Sequence, residues 1–167
     1  MKISITIILL TISNNIYAST IKPIQNITIN NIQGLWYEIA RTYNSYEEDC
    51  INPTVEYIKI DNEKFDIINR CLDKNNINKT IEYNGKGELL LNESIQYIKM
   101  TYYWIFSDNY FLIYLNKKTS SMVIMSDDKK QLWIMNKRNI ISKVELKNIL
   151  KLINNYIDTS KLIYNNK

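Results

Sequence analysis

The amino-acid sequence predicts an all-β protein, an antiparallel sandwich or barrel, with one α-helix and a short strand at its C-terminal end. Two observations lead to this fold class. From residue 34 onward, short runs rich in Ile, Tyr, Val and Trp recur at intervals of about ten residues, separated by hairpin-sized polar turns. From residue 142 the apolar residues recur every three to four positions instead, which is typical of a helix.

The first eighteen residues differ from the rest of the chain. Lys2 precedes the apolar run ISITIILLTI, and the segment ends in the small residue Ala18. This pattern is typical of a secretory signal peptide, and the run is too short to span a bilayer; the alternative is a buried terminal strand. We therefore expect a signal peptide at residues 1–18 and one domain at residues 19–167. Because no cysteine follows Ala18 directly, we expect a secreted or periplasmic protein without an N-terminal lipid anchor.

Eight candidate strands follow one another along the domain. The first is LWYEIART (35–42). The next two, TVEYIKI (54–60) and KFDIINRC (64–71), are joined by the polar turn DNE, which suits a hairpin. The remaining five are KTIEYNGKG (79–87), IQYIKMTYYWIF (95–106), NYFLIYL (109–115), SSMVIMS (120–126) and QLWIMNK (131–137).

A single amphipathic helix is predicted over SKVELKNILKLINNYI (142–157). Ser142 begins it and Glu145 lies three residues later, a spacing that fits a capping box. The predicted apolar face packs on the outside of the sheet. It comprises Val144, Leu146, Ile149, Leu150, Ile153 and Ile157. The apolar piece KLIY (161–164) is expected to add an edge strand.

The composition excludes several kinds of chemistry. The chain has no histidine and only three glycines, so it offers no Ser-His-Asp or Cys-His site, no histidine-bound haem, no usual catalytic zinc and no phosphate-binding glycine loop. The net charge of +4 is not concentrated in a basic block, which gives nucleic-acid binding little support. We expect no metal, no cofactor and no enzymatic activity. The sequence favours binding over catalysis.

The two cysteines, Cys50 and Cys71, both lie in the part expected to be exported. An even number in an oxidising compartment favours a disulfide between them. The alternative is a pair of buried free thiols, which would leave thiol chemistry open.

Four motifs in order resemble the lipocalin family. GLWYEIAR (34–41) resembles the signature that opens the lipocalin barrel, most closely in the branch of the bacterial outer-membrane lipocalins and apolipoprotein D. The cysteines in EEDCINPTVEY and IINRC, the aromatic run YYWIFSDNYFLIYL and the final-strand element LWIMNKR resemble further elements of that branch. The resemblance covers roughly residues 24 to 164.

The resemblance implies an eight-stranded up-and-down β-barrel, closed at one end, that carries apolar ligands. It implies that Trp36 plugs the closed end, that Gly34 lets the chain turn beneath it, and that a basic residue of the last strand covers the indole. The family's arginine aligns with Lys137, while Arg138 comes one residue later and would face the opposite side of a regular strand.

Alternation along the strands predicts which side chains share a face, and on the last strand the resemblance to lipocalins implies that the face of Trp133, Met135 and Lys137 points inward. Trp36, Glu38 and Ala40 share one face of the first strand, with Glu38 expected to hydrogen-bond within the barrel floor. Asn69 shares a face with the lining residues of the third strand. Both faces of the sixth and seventh strands are apolar, so alternation does not decide which face points inward, and Tyr110, Leu112 and Tyr114 are chosen for the sixth. The predicted ligand contacts are Phe65, Ile67, Ile98, Met100, Tyr102, Tyr110, Leu112, Tyr114, Trp133 and Met135.

The leading hypothesis is thus an exported carrier of a small hydrophobic ligand such as a fatty acid, lysophospholipid or sterol. The rivals are a secreted interaction or immune-modulating protein that acts through its loops and, less favoured, an enzyme on the same fold. Transient membrane contact and the oligomeric state are left open.

Overall fold

The structure is a computed structural model that describes residues 20–165. The predicted signal peptide at residues 1–18 lies outside the described residues. Within residues 20–165 the chain forms nine strands, two α-helices and two short 3-10 helices, the latter at Ser45–Glu47 and Thr159–Lys161. The helices are α1 (Ile29–Ile32) and α2 (Lys143–Ile153). The strands are β1 (Gly34–Arg41), β2 (Cys50–Lys59), β3 (Lys64–Asp73), β4 (Asn76–Asn92), β5 (Ile95–Tyr102), β6 (Phe106–Asn116), β7 (Ser121–Ser126), β8 (Leu132–Asn136) and β9 (Ile163–Tyr164).

Strands β1 to β8 form a closed antiparallel barrel. Each strand pairs with the next along the chain, and β1 pairs with both β2 and β8, which closes the sheet. Strand β9 pairs with β1 at Ala40 and Arg41, beyond the last residues at which β1 pairs with β2. The predicted eight-stranded barrel with an added strand is confirmed.

The two ends of the barrel differ. The first connection, β1–β2, lies at the same end as the β3–β4, β5–β6 and β7–β8 turns, and we call this end the mouth. At the opposite end, which we call the closed end, α1 precedes Gly34 and contributes buried Ile29 and Ile32. The disulfide between Cys50 and Cys71 is confirmed, and it joins the start of β2 to the end of β3 at the mouth.

Two hydrophobic clusters lie on opposite sides of the barrel wall. The inner cluster lines the inside of the barrel and includes Trp36, Phe65 and Met122. The outer cluster packs α2 against the wall through Ile149 and Ile153. The predicted packing of the helix outside the sheet is therefore found, although Val144 is exposed rather than part of the apolar face.

The prediction of helical capping was half right. Ser142 Oγ accepts the Glu145 N–H at 3.2 Å, so Ser142 is the N-cap. The Glu145 carboxylate instead accepts hydrogen bonds from Tyr114, Asn116 and Thr119 on the barrel wall. Helix α2 is thus fixed to the barrel by this buried carboxylate as well as by apolar packing.

Candidate functional site: the barrel interior and its mouth

The floor of the barrel is built around Trp36. Its Nε1 donates a hydrogen bond of 2.6 Å to the Ile32 carbonyl, which joins the indole to the end of α1. Gly34 adopts φ of +88°, a conformation that glycine tolerates and other residues rarely adopt. Lys137 Nζ lies 4.0 Å from the centroid of the Trp36 ring and donates to the Gln33 carbonyl at 2.5 Å. Trp36, Gly34 and Lys137 thus meet at the closed end.

Burial lowers the pKa of Lys137 to about 8. The aromatic face and the Gln33 carbonyl act in the opposite direction, because both stabilise the charged form. The interaction of the Lys137 ammonium group with the Trp36 ring and the Gln33 carbonyl is therefore stronger when the group is charged.

Two glycines on β4 make room for aromatic rings inside the barrel. A Cβ on Gly87 would lie 2.2 Å from the Phe65 ring, and one on Gly85 would lie 2.7 Å from the Tyr102 ring. Phe65 also contacts Tyr57 edge-on, with ring centroids 5.4 Å apart. These rings and the flexible side chains of Met100, Met122 and Met135 line an interior that is apolar and adaptable in shape.

Hydroxyl groups and an indole lie towards the mouth. Asn69 Nδ2 donates to the Tyr102 Oη at 3.0 Å, and Tyr110 contacts the Trp133 ring at 5.8 Å between centroids. Burial raises the pKa of Tyr102 to about 12 and raises that of Tyr110 further. Both phenols are therefore neutral at physiological pH and can donate or accept a hydrogen bond.

A buried polar cluster lies where β1 reaches the mouth. A β-bulge between Glu38 and Ala40 turns both Ile39 and Ala40 to the outer cluster, and this brings Arg41 to the same side of the strand as Glu38. Arg41 Nη1 lies 2.9 Å from Glu38 Oε1, and Asn165 donates to the same carboxylate. Two expectations were therefore wrong: Ala40 does not face the interior, and Glu38 does not belong to the floor.

Glu47 connects the first loop to this cluster. Its carboxylate accepts the Trp133 Nε1–H at 3.1 Å and lies 3.4 Å from Arg41 Nε. Arg41 Nη2 also donates to the Glu47 carbonyl at 2.7 Å. Burial raises the pKa of Tyr57 and Tyr102, and the negative charge of Glu47 adds to this effect. The Glu47 carboxylate therefore influences the electrostatics of the barrel interior.

The cluster contains two carboxylates but one guanidinium group. Burial, together with repulsion from Glu47, raises the pKa of Glu38 to about 8, and the contacts with Arg41 and Asn165 only partly oppose this. The direction of this shift favours the protonated form of Glu38. The single guanidinium group is already engaged with Glu38 and Glu47, so an anionic group at the mouth would gain no free positive partner there, whereas a neutral or cationic group needs none.

The structure places nine of the ten predicted ligand contacts in or against the inner cluster. They are Phe65, Ile67, Ile98, Met100, Tyr102, Tyr110, Leu112, Trp133 and Met135. Tyr114 is the exception and a correction. A bulge between Leu112 and Tyr114 turns both Ile113 and Tyr114 outward, and the Tyr114 hydroxyl donates to Glu145 of α2 at 3.0 Å.

Sequence reasoning missed other interior residues. Val55 and Tyr57 alternate on β2 in the same way as the residues that were chosen, so the pattern could have found them. Leu89, Met122 and Ile124 also belong to the inner cluster, but the alternation of apolar and polar residues on their strands is less clear. Glu47 lies in a loop and no periodicity marks it.

The wall beside the mouth has a shallow depression where β1 and β2 diverge. It measures about 330 Å³ and lies between β9 and the start of β2, with Arg41, Cys50, Lys74 and Asn165 among its lining residues. No helix within residues 20–165 is long and apolar enough to cross a membrane. In the same part of the chain no three His, Cys, Asp or Glu side chains form a group that could hold a metal ion.

Comparison with known proteins decides the family. Residues 27–167 match the family of the lipocalin-like domain. The chain belongs to the lipocalin-like family. The outer membrane lipoprotein Blc of Vibrio cholerae is 24% identical over 147 residues, which cover 87% of this chain and 85% of that protein. A protein of Acanthamoeba polyphaga mimivirus described as a lipocalin is 34% identical over 53 residues, 32% of this chain and 31% of that protein.

Solved lipocalin structures share the fold. A lobster apocrustacyanin superposes with a TM-score of 0.65 at 18% identity, covering 81% of this chain and 77% of that one. Insecticyanin of the tobacco hornworm Manduca sexta gives a TM-score of 0.64 at 19% identity, covering 90% and 86%. The resemblance to lipocalins predicted from the four motifs is confirmed. As a lipocalin, the chain belongs among proteins that bind small hydrophobic ligands.

Proposed function

We propose that this lipocalin is an exported carrier that holds one elongated apolar ligand inside the barrel, with the ligand's polar end towards the mouth. The observation that carries this proposal is the interior itself: a closed eight-stranded barrel lined by aromatic, aliphatic and methionine side chains. A barrel of this size can hold one small ligand. Apolar burial supplies the affinity, at about 0.8 kcal/mol for each CH₂ group removed from water.

The polar groups of the mouth select the head group in this proposal. Tyr102 and Tyr110 offer neutral hydroxyls, whereas Glu47 presents a carboxylate near them. A free fatty acid would bring a second anion to this region, and that costs free energy in a partly desolvated site. A lysophospholipid with a choline head group, or an uncharged monoacylglycerol, is therefore expected to bind more tightly than a fatty acid of equal chain length.

Tryptophan fluorescence tests the location of the ligand. Titration with lysophosphatidylcholine should quench Trp133. Trp133→Phe should reduce both the quenching and the affinity, because it removes the indole, leaves a smaller ring against Tyr110 and removes the hydrogen bond to Glu47. The matched control is Trp104→Phe, since Trp104 lies on an exposed turn. If Trp133→Phe leaves affinity and quenching unchanged, the ligand binds elsewhere.

A native mass spectrum addresses the occupant directly. Protein purified from its source is expected to carry a co-purified lipid with one acyl chain or a sterol-sized mass. The carrier proposal would be contradicted by protein that is purified without a bound lipid and binds no fatty acid, lysophospholipid or monoacylglycerol at micromolar concentration.

We also propose that binding, not catalysis, is the role of the interior. Both cysteines are joined in the disulfide, so neither supplies a thiol nucleophile. Glu38, the carboxylate nearest the interior on β1, is held by Arg41 and Asn165. Incubation with lysophospholipid should therefore release no fatty acid, as followed by thin-layer chromatography.

Export with cleavage after Ala18 completes the proposal. The mature protein should begin at Ser19 with an unmodified amino group, which N-terminal sequencing and intact mass of the exported protein will measure. A mass raised by acyl chains at the N-terminus would contradict this part of the proposal and leave the carrier proposal intact.

A further inference from the structure

Four consecutive apolar residues are exposed at the β5–β6 turn. Tyr103 is 61% exposed, Trp104 92%, Ile105 74% and Phe106 60%. We call residues 103–106 the mouth loop. Their exposure is unlike that of the apolar residues a few positions away, since Ile98, Met100 and Tyr110 are all buried. Four consecutive large apolar side chains are therefore left unburied at this turn.

The backbone of the mouth loop is unusual as well. Tyr103 and Trp104 adopt φ of +51° and +62°, in the left-handed region where bulky residues are uncommon. Such strain costs free energy that glycine or asparagine at the turn would avoid. The turn therefore holds two large aromatic side chains outward where smaller residues would suit the fold better, which points to a use for the side chains themselves.

The mouth loop lies at the mouth of the barrel, where the proposed ligand would enter. It directly follows Tyr102, whose ring packs over Gly85 and whose hydroxyl bonds Asn69. The first loop reaches the same end of the barrel and exposes Tyr46, which lies near enough to Tyr110 to contribute to its raised pKa. The two exposed aromatic groups thus belong to loops at the same rim.

We propose that the mouth loop docks this protein on a lipid bilayer by inserting into the interfacial layer, so that the barrel opening faces the membrane. A convex turn fits a deformable surface better than a pocket. Trp and Tyr are enriched at membrane–water interfaces, where an apolar ring and a polar edge are both satisfied, and Ile105 and Phe106 suit the layer beneath.

The charges of the rim identify the kind of bilayer. The mouth loop carries no charge, and acidic groups offset the lysines of the neighbouring turn and strand: Lys79 pairs with Asp73 at 3.0 Å and Lys130 with Asp128 at 2.9 Å. Lys74, which follows Asp73 in the chain, is exposed and adds a single positive charge rather than a basic patch. Attraction of a basic patch to anionic lipids is therefore not the driving force. Docking should occur on zwitterionic phosphatidylcholine and should depend little on salt, because apolar insertion is not screened.

Vesicle sedimentation tests the docking with the mature protein and no added ligand. The wild type should sediment with sucrose-loaded phosphatidylcholine vesicles, with less than about a twofold change in partitioning at high salt. Trp104→Ser combined with Ile105→Ser should lower the partition coefficient by roughly tenfold or more. Leu91→Ser is the matched control, since Leu91 is 72% exposed near the end of β4, at the closed end, and it should leave partitioning unchanged.

Three results would overturn the inference. The first is wild-type protein that stays in the supernatant with phosphatidylcholine. The second is binding that requires anionic lipid and disappears at high salt. The third is a concentration-dependent dimer, seen by analytical ultracentrifugation, that the double substitution abolishes while vesicle binding persists; the mouth loop would then bind a second copy.

The docking and the carrier proposal fail separately. The double variant should retain a wild-type circular dichroism spectrum, melting temperature and lysophosphatidylcholine affinity in detergent-free titration, since both residues lie outside the inner cluster. Loss of vesicle binding with retained ligand binding supports docking by the mouth loop. Retained vesicle binding in a folded double variant contradicts it, whatever the ligand result.

Discussion

Lys137 should contribute measurably to stability by binding the floor of the barrel, whereas its neighbour Arg138 should not. Lys137 Nζ lies 4.0 Å from the Trp36 centroid and donates to the Gln33 carbonyl. Arg138 is exposed, and its backbone N–H donates to the Asn136 side chain at 2.8 Å, a bond that substitution of the side chain does not remove. Lys137→Ala is therefore the perturbation and Arg138→Ala its matched control.

The magnitude follows from the two contacts. A cation–π contact stabilises by about 0.5–1 kcal/mol when exposed and about 2 kcal/mol when desolvated. Because Lys137 is only half-buried, we take about 1 kcal/mol for the ring and about 1 kcal/mol for the charged hydrogen bond. Lys137→Ala should thus cost about 2 kcal/mol, which for a domain of this size lowers the melting temperature by about 6 °C.

Two further substitutions separate charge from packing. Lys137→Met keeps an apolar stem over the indole and should recover part of the loss. Lys137→Arg should be neutral or mildly stabilising, because the planar guanidinium can stack on Trp36 and donate to more than one carbonyl. The assay is thermal and urea unfolding at pH 7, where the ammonium is charged.

The refuting result is specific. If Arg138→Ala lowers the melting temperature more than Lys137→Ala does, Arg138 is the residue that covers Trp36 in solution. Equal and negligible effects would mean that the floor is held by the Trp36 hydrogen bond and apolar packing alone.

Three other predictions concern the polar cluster, the helix contact and the disulfide. The pKa of Glu38 is raised in the folded state to about 8 from an ordinary 4.5. The stabilisation linked to its proton is therefore complete below the unfolded-state pKa and is lost as the pH rises towards 8, by at most about 1.4 kcal/mol per pH unit. Glu38→Gln should flatten the pH dependence of urea unfolding between about pH 5 and 7.5, and equal slopes would contradict this. Tyr114→Phe should cost about 1 kcal/mol by removing a hydrogen bond to Glu145 while leaving lipid affinity unchanged; a loss of affinity would return Tyr114 to the ligand site. Replacing both Cys50 and Cys71 by Ala, which opens a link between residues 21 apart, should cost about 3 kcal/mol in urea unfolding, and an unchanged midpoint would be the contrary outcome.

Strand order and the helix were predictable because both depend on local periodicity. The eight strands alternate along their own sequences, and the turns between them carry polar residues. The clearest misplaced boundary is at the mouth loop, which was predicted to continue the fifth strand through Phe106. Tyr103, Trp104 and Ile105 have the composition of a strand, but they form an exposed turn, and composition alone does not distinguish the two.

Part of the site was predictable from the same alternation, and the errors have one physical cause. Ala40 and Tyr114 were both assigned to the interior by counting every second residue. In each case a bulge adds one residue to the strand, so two successive side chains face outward and every later assignment is reversed. A bulge depends on how two strands pair, and that information is not contained in either strand alone.

The bulge in β1 also explains why the mouth cluster could not be predicted. In a regular strand Glu38 and Arg41 would face opposite sides, and no hydrogen bond would form between them. With the bulge they share a side, and Arg41 can then bind Glu47 from the first loop. Asn165, which also donates to Glu38, comes from the far end of the chain.

The contacts of Glu47 connect the first loop directly to the polar end of the barrel interior. The Glu47 carboxylate binds both the Arg41 guanidinium and the Trp133 indole, and Trp133 packs on Tyr110 in the inner cluster. A ligand head group that reaches Glu47 must therefore either accept these contacts as they are or displace the loop that carries them. Selectivity for the head group and opening of the mouth consequently depend on the same residue, and substitution of Glu47 should change both together.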